Sequence, residues 1–166
     1  LYSVKIFASG NLDEYILEDI IKAGAPIDGF GIGTRLDTSS DVPYLDCAYK
    51  LQEYAGKVRR KRSRGKATLP GRKQVYRYYD KDGKMSHDLL TTEDDKQDGR
   101  ALIEPVMIGG KRLSPPRSLE DIRAYTSSEL SLLPDRFKKL KDHPIYPVKI
   151  SERIEELVKK VDREFR

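Results

Sequence analysis

At 166 residues the chain is long enough for one domain with its own core. A hydrophobic share of 37% against 36% charged residues, no Trp and a mean hydropathy of −0.67 leave that core thin, or completed by something further. The single cysteine, Cys47, excludes an intrachain disulfide framework and a Cys-rich zinc site. No apolar run approaches the roughly 18 residues of a membrane span, and no stretch resembles a secretory leader, so the expectation is a cytoplasmic protein with no membrane partner. The formal charge of +5 is local, because Lys57, Arg59, Arg60, Lys61, Arg62, Arg64 and Lys66 follow one another without an intervening acid and the rest of the chain is slightly acidic. The chain opens at Leu1, and Tyr2 to Ala8 already reads as a strand, which suggests a piece, or one half, of a larger fold.

Three compositional zones follow. In the first, residues 1–56, Val4, Ile6 and Ala8 alternate with Lys5 and Phe7, predicting a strand buried on at least one face. It stops at Ser9-Gly10. Asn11 is placed as an N-cap, with Glu14 completing a capping box. Leu12, Ile16, Leu17, Ile20 and Ile21 lay an apolar stripe along one helical face, and Gly24 followed by Pro26 ends the helix. A second strand centred on Ile27 to Phe30 runs into Gly31-Ile32-Gly33-Thr34, with a short helix expected at Arg35 to Thr38. Strand, helix and strand in this order predict a βαβ unit with parallel strands and a right-handed crossover. Both glycine turns then lie beyond the strands' C-terminal ends, the edge where α/β folds bind ligands.

The second zone, 57–113, reads as β-rich and carries the basic stretch. Leu45, Cys47, Tyr49 and Leu51 alternate just before it. Arg72 to Tyr79 and Met85 to Leu90 flank Asp80-Lys81-Asp82-Gly83-Lys84, an Asp-Gly hairpin signal. Thr92 to Arg100 reads as an exposed polar loop. Leu102 to Ile108 and Lys111 to Leu113 flank Gly109-Gly110, a second hairpin signal. The third zone, 114–166, reads as helical: Ser118 with Asp121 opens one helix, Pro134 interrupts the next stretch, and Ser151 caps a last helix carrying Ile154, Leu157, Val158 and Val161 on one face.

A phosphate dianion needs several donors at short range, and backbone N–H groups approach closely only where no Cβ intervenes. Gly31, Gly33 and Thr34 meet that need, with the Thr hydroxyl as a further donor and a helix start behind them. Ser9-Gly10-Asn11 supplies a second turn at the same sheet edge. A glycine-rich turn after a strand is by itself more often plain loop geometry, since neither the dinucleotide G-x-G-x-x-G spacing nor a P-loop lysine is present, and only the two turns together bring a phosphate site level with that reading.

The wider string is more specific. Ser9-Gly10-Asn11-Leu12-Asp13-Glu14-Tyr15, then Gly24 to Leu36, then Tyr49-Lys50-Leu51, resembles the late catalytic segment of the nicotinate phosphoribosyltransferases. Leu69-Pro70-Gly71-Arg72-Lys73-Gln74-Val75-Tyr76-Arg77 and Leu119-Glu120-Asp121-Ile122-Arg123-Ala124-Tyr125 resemble later segments of the same family. The resemblance implies an α/β fold: the last βα units of an irregular type II phosphoribosyltransferase barrel, then a β-rich segment and C-terminal helices. It implies a transferase of NAD salvage that forms nicotinate mononucleotide and pyrophosphate from nicotinate and phosphoribosyl pyrophosphate, coupled to ATP hydrolysis with Mg2+, and a homodimer when complete. It places Gly31, Gly33 and Thr34 on the 5-phosphate and Ser9 and Gly10 near ribose and phosphate. The family's base-binding residues, its phosphorylatable histidine and most pyrophosphate contacts fall N-terminal to Leu1, so no catalytic or metal residue is assigned here and the chain alone is expected to be inactive.

Other readings attach to single features. The Lys57 to Lys66 run would suit a nucleic-acid-binding module, although no aromatic within it offers a stacking platform and a solvated ribbon is the simpler reading. His87 and His143 fall in polar, later zones and are not assigned to catalysis. Tyr76 and Tyr78 share one strand face, with Tyr79 on the other, as packing residues with polar tips. Asp13 is read as favouring the helix dipole, and Asp28 as a candidate for a ribose hydroxyl. A non-catalytic partner subunit of a split enzyme is the remaining alternative.

Overall fold

The structure, a computed structural model, describes residues 3–44 and 48–164. It falls into two compact units, Leu1–Ala48 and Tyr49–Arg166. The expected zones 57–113 and 114–166 therefore share one unit.

The first unit contains β1 (Phe7–Ser9), α1 (Glu14–Lys22), β2 (Gly29–Gly31) and the one-turn α2 (Thr34–Asp37). β1 and β2 pair in parallel, Phe7 opposite Gly29, Ala8 opposite Phe30 and Ser9 opposite Gly31, the βαβ unit read from sequence. α1 starts differently from the expectation. Asn11 has a left-handed φ of 51°, which an N-cap does not adopt, and the cap is Asp13, whose extended backbone lets its side chain accept from the Ile16 N–H at 2.9 Å. The helix ends as read: Gly24, at φ +67°, donates to Ile21 O and Ala25 to Ile20 O, closing a Schellman motif. The short helix runs Thr34–Asp37 rather than Arg35 to Thr38, because Gly33 O accepts its first bonds, from Leu36 and Asp37. Leu12 is buried, whereas Val4, Ile6 and Phe7, expected to include a buried strand face, are exposed.

The second unit holds β3 (Glu53–Tyr54), β4 (Lys57–Val58), β5 (Lys73–Tyr79), β6 (Met85–Thr92), β7 (Arg100–Ala101), β8 (Met107–Ile108), β9 (Lys111–Arg112), α3 (Leu119–Leu132), a 3-10 turn at Asp135–Phe137, β10 (Val148–Ile150) and α4 (Glu152–Glu164). Its main sheet has the order β10-β6-β5-β7. β5 and β6 form the Asp-Gly hairpin, in which Asp80 Oδ1 accepts from the N–H groups of Asp82 and Lys84 at 3.0 and 2.9 Å. Gly109 and Gly110, at φ 56° and 77°, turn β8 into β9 as read. Ala55 and Gly56 do the same between β3 and β4, a hairpin not anticipated.

Other departures concern non-local pairing. β10 lies in the zone read as helical, yet it pairs in parallel with β6, Val148 to Ile150 against Asp88 to Leu90. The loop expected at Thr92 to Arg100 begins at a buried Thr92 and ends in β7, which pairs with β5, while of Leu102 to Ile108 only Met107 and Ile108 form strand. The alternation at Leu45 and Cys47 lies outside the described residues. Ser118 and Ser151 cap α3 and α4 as read, accepting from Asp121 N at 3.1 Å and Ile154 N at 3.3 Å.

Tyr76, Met85, Thr91, Ile154 and Val161 form the buried core of this unit. Arg77 grips Asp88 with two parallel bonds of 2.9 Å across the β5–β6 pair and reaches Glu129 of α3 at 3.4 Å. Arg100 of β7 holds the same Glu129 at 2.6 and 2.8 Å, and Tyr146 donates to Asp88 at 3.3 Å. This network fixes α3 against the sheet.

Candidate functional site

The two glycine turns leave the sheet side by side, because Ser9 and Gly31 are direct neighbours in the parallel pair. Each glycine is there for a different reason. At Gly31 a Cβ would sit 2.9 Å from Ser9 Cβ, so no side chain fits. Gly10 has φ +115°, a conformation L residues rarely adopt. Gly33 has an ordinary extended backbone, φ −149°, and a Cβ added there would meet nothing within 4 Å. Neither backbone strain nor packing calls for glycine at 33, which serves as the N-cap of α2, a position glycine favours. Gly31, Gly33 and Thr34 are all exposed, as are Ser9 and Gly10.

Asp28 is not brought to these turns. It precedes β2, and its carboxylate accepts from the Ile6 N–H at 2.8 Å and from Lys5 Nζ at 2.9 Å, at the opposite end of the strand pair. The Ile6 N–H and then the Lys5 ammonium hold its carboxyl below the usual range. Three residues of strand, roughly 10 Å, separate it from Gly31.

Sequence reasoning missed the contact that joins the turns. Asp13 is buried, and besides capping α1 it pairs with Arg35 Nη2 at 2.5 Å. Arg35 Nη1 also donates to Asn11 O at 3.4 Å. An Asp at a helix start and an Arg 22 residues later carry no periodic signal that would link them.

The remaining candidates lie in the second unit. His87 stacks on Tyr78, ring centroids 4.9 Å apart and 4° from parallel, which is a cross-strand packing pair. His143 Nδ1 lies 3.5 Å from Pro144 O. The basic run is not a uniform ribbon: Lys57 and Val58 form β4, and Arg60, 13% exposed, pairs with Asp162 of α4 at 3.0 Å. A groove of about 860 Å³ between the β3–β4 hairpin and α4 is lined by mixed charges, including Glu53, Arg72, Asp94 and Arg153. Among the described residues, no group of three or more His, Cys, Asp or Glu is placed to hold a metal ion. No helix among them is long and apolar enough to cross a membrane.

Comparison with known proteins bears on the same reading. Residues 96–158 match the model of the nicotinate phosphoribosyltransferase C-terminal domain. Over 156 residues the chain is 40% identical to a nicotinate phosphoribosyltransferase of Mycobacterium tuberculosis, covering 93% of this chain and 34% of that protein. It is 32% identical to the Mus musculus nicotinate phosphoribosyltransferase, covering 95% and 34%. The crystal structure of human nicotinic acid phosphoribosyltransferase superposes with a TM-score of 0.74 at 24% identity, covering 96% of this chain and 33% of that one, which shows a shared fold. The chain thus spans about a third of the length of the curated relatives it matches.

The fold is therefore mixed α/β and shared with the matching third of the human structure. Residues 96–158 match the C-terminal domain of the nicotinate phosphoribosyltransferases, and the chain is similar along nearly its whole length to the C-terminal portion of those proteins.

Proposed function

We propose that this chain supplies the 5-phosphate-binding part of a nicotinate phosphoribosyltransferase. In that reaction the nicotinate ring nitrogen bonds to C1 of phosphoribosyl pyrophosphate as the C1–oxygen bond breaks, releasing nicotinate mononucleotide and pyrophosphate, with ATP hydrolysis as the coupled step. The N–H groups of the Gly31-Ile32-Gly33-Thr34 turn and the Thr34 hydroxyl hold the 5-phosphate. Ser9 and Gly10 lie against ribose and phosphate. The observation that carries the reading is the Ser9–Gly31 pairing, which delivers both turns to one sheet edge. β1, α1 and β2 are the last βα units of a barrel, a reading supported by the exposed Val4, Ile6 and Phe7, since parallel strands are normally covered on both faces. Base recognition and any Mg2+ or ATP site belong to the family's remaining length.

A graft tests this. Placing the chain in place of the matching third of the Mycobacterium tuberculosis enzyme should preserve mononucleotide synthesis, and Gly33→Val in that graft should raise KM for phosphoribosyl pyrophosphate far more than KM for nicotinate. A folded graft in which Gly33→Val leaves the phosphoribosyl pyrophosphate KM unchanged would remove the turn from the site.

A further inference from the structure

We propose that Asp13 and Arg35 form a latch that sets the spacing of the two phosphate turns, with Arg35 as a positioning residue. The inference rests on the phosphate reading above but concerns the protein before a ligand arrives. Asp13 is buried in a unit with few buried side chains, and a buried carboxylate needs partners. It has two: Ile16 N–H on one oxygen and Arg35 Nη2 on the other. Arg35 belongs to α2, directly after Thr34, and its second nitrogen reaches the carbonyl of Asn11, directly after Gly10. One guanidinium therefore ties the second turn to both ends of the Asn11–Asp13 segment that follows the first.

That segment needs a tether. Gly10 and Asn11 have consecutive positive φ values, 115° and 51°, and around Gly10 no atom stands within 4 Å of a Cβ position to hold it sterically. A phosphate gripped by N–H groups from two separate turns requires their spacing to be kept to about 0.5 Å. The planar guanidinium addresses two acceptors at once, which an ammonium does not.

The discriminating variant is Asp13→Asn, because Asn caps a helix about as well as Asp while the ion pair is lost. In 15N–1H spectra of the ligand-free chain, Arg35→Gln and Asp13→Asn should each move the amides of Gly10, Asn11 and Leu12 together with those of Gly33 and Thr34, leaving the second unit unmoved. Both should weaken ribose 5-phosphate binding about tenfold, and Arg35→Lys, whose ammonium keeps the charge but does not address both acceptors, should recover only part of that loss. Unmoved Gly10 to Leu12 amides in Arg35→Gln would overturn the latch whether or not ligand binds. Loss of binding in Arg35→Gln without loss in Asp13→Asn would also overturn it, since Arg35 would then act on the ligand itself. Coupled amide shifts in a chain that binds no ribose 5-phosphate would uphold the latch and overturn the phosphate reading instead.

Discussion

Ser9 stands so close to Gly31 that a methyl group at position 31 would lie 2.9 Å from the Ser9 Cβ. This proximity sets the two turns side by side, and it gives the first prediction. Gly31→Ala must push β1 and β2 apart or shift the Ser9 backbone, since the Ser9 Cβ does not move with its side-chain torsion, at a cost of about 1–3 kcal/mol. Gly33→Ala, with open space and an extended backbone, should stay within about 0.5 kcal/mol of the parent. Urea unfolding of the two variants checks the contrast, and equal destabilisation would mean that Gly33 is structural.

The basic run divides in two. Arg60 sits against Asp162, whereas Arg64 is on the exposed tip of the loop. Arg60 is largely buried but Asp162 is 38% exposed and partly screened, so Arg60→Ala should destabilise the second unit by about 1 kcal/mol and Arg64→Ala by less than about 0.5. Thermal unfolding distinguishes them. In fluorescence anisotropy at low ionic strength the chain should not bind labelled RNA. Salt-sensitive binding would restore the nucleic-acid reading.

Acid should loosen α3 through Glu129. The hydrogen bonds from Arg100, and then the charges of Arg100 and Arg77, hold its carboxyl below the ordinary value. A depressed folded-state pKa contributes stability that is fully present above the unfolded value, about 4.3, and is lost as pH falls through the lower folded value. The melting temperature of the parent should therefore fall more steeply below about pH 4.3 than that of Glu129→Gln. Parallel curves would show that the pair contributes nothing to stability.

Much of this could be read from residues close in sequence. The βαβ order, the Asp80 to Lys84 and Gly109-Gly110 turns, and the Ser118 and Ser151 caps are local signals, each decided within a few residues. The misses have a common cause. β10 is three residues long and exists only because β6, some 60 residues earlier, offers it an edge. Arg60 and Asp162 are 102 residues apart, and neither type signals burial on its own. Asn11 lost the cap to Asp13 because its left-handed backbone serves the Gly10 turn, a tertiary demand that overrides a local preference. Of the site, the glycines were legible as a pattern, but the latch between Asp13 and Arg35 was not.

The 166-residue chain should form no detectable nicotinate mononucleotide from nicotinate and phosphoribosyl pyrophosphate with ATP and Mg2+, since no catalytic group is assigned to it. A turnover above background in a mass-spectrometric assay would contradict that division of labour.

The central claim is that the paired turns hold a sugar 5-phosphate, and one titration addresses it most directly. With the 15N-labelled chain, ribose 5-phosphate should produce saturable shifts centred on the amides of Gly10, Gly31, Gly33 and Thr34, while ribose without the phosphate leaves them in place. Shifts centred elsewhere, or equal responses to ribose and ribose 5-phosphate, would contradict it.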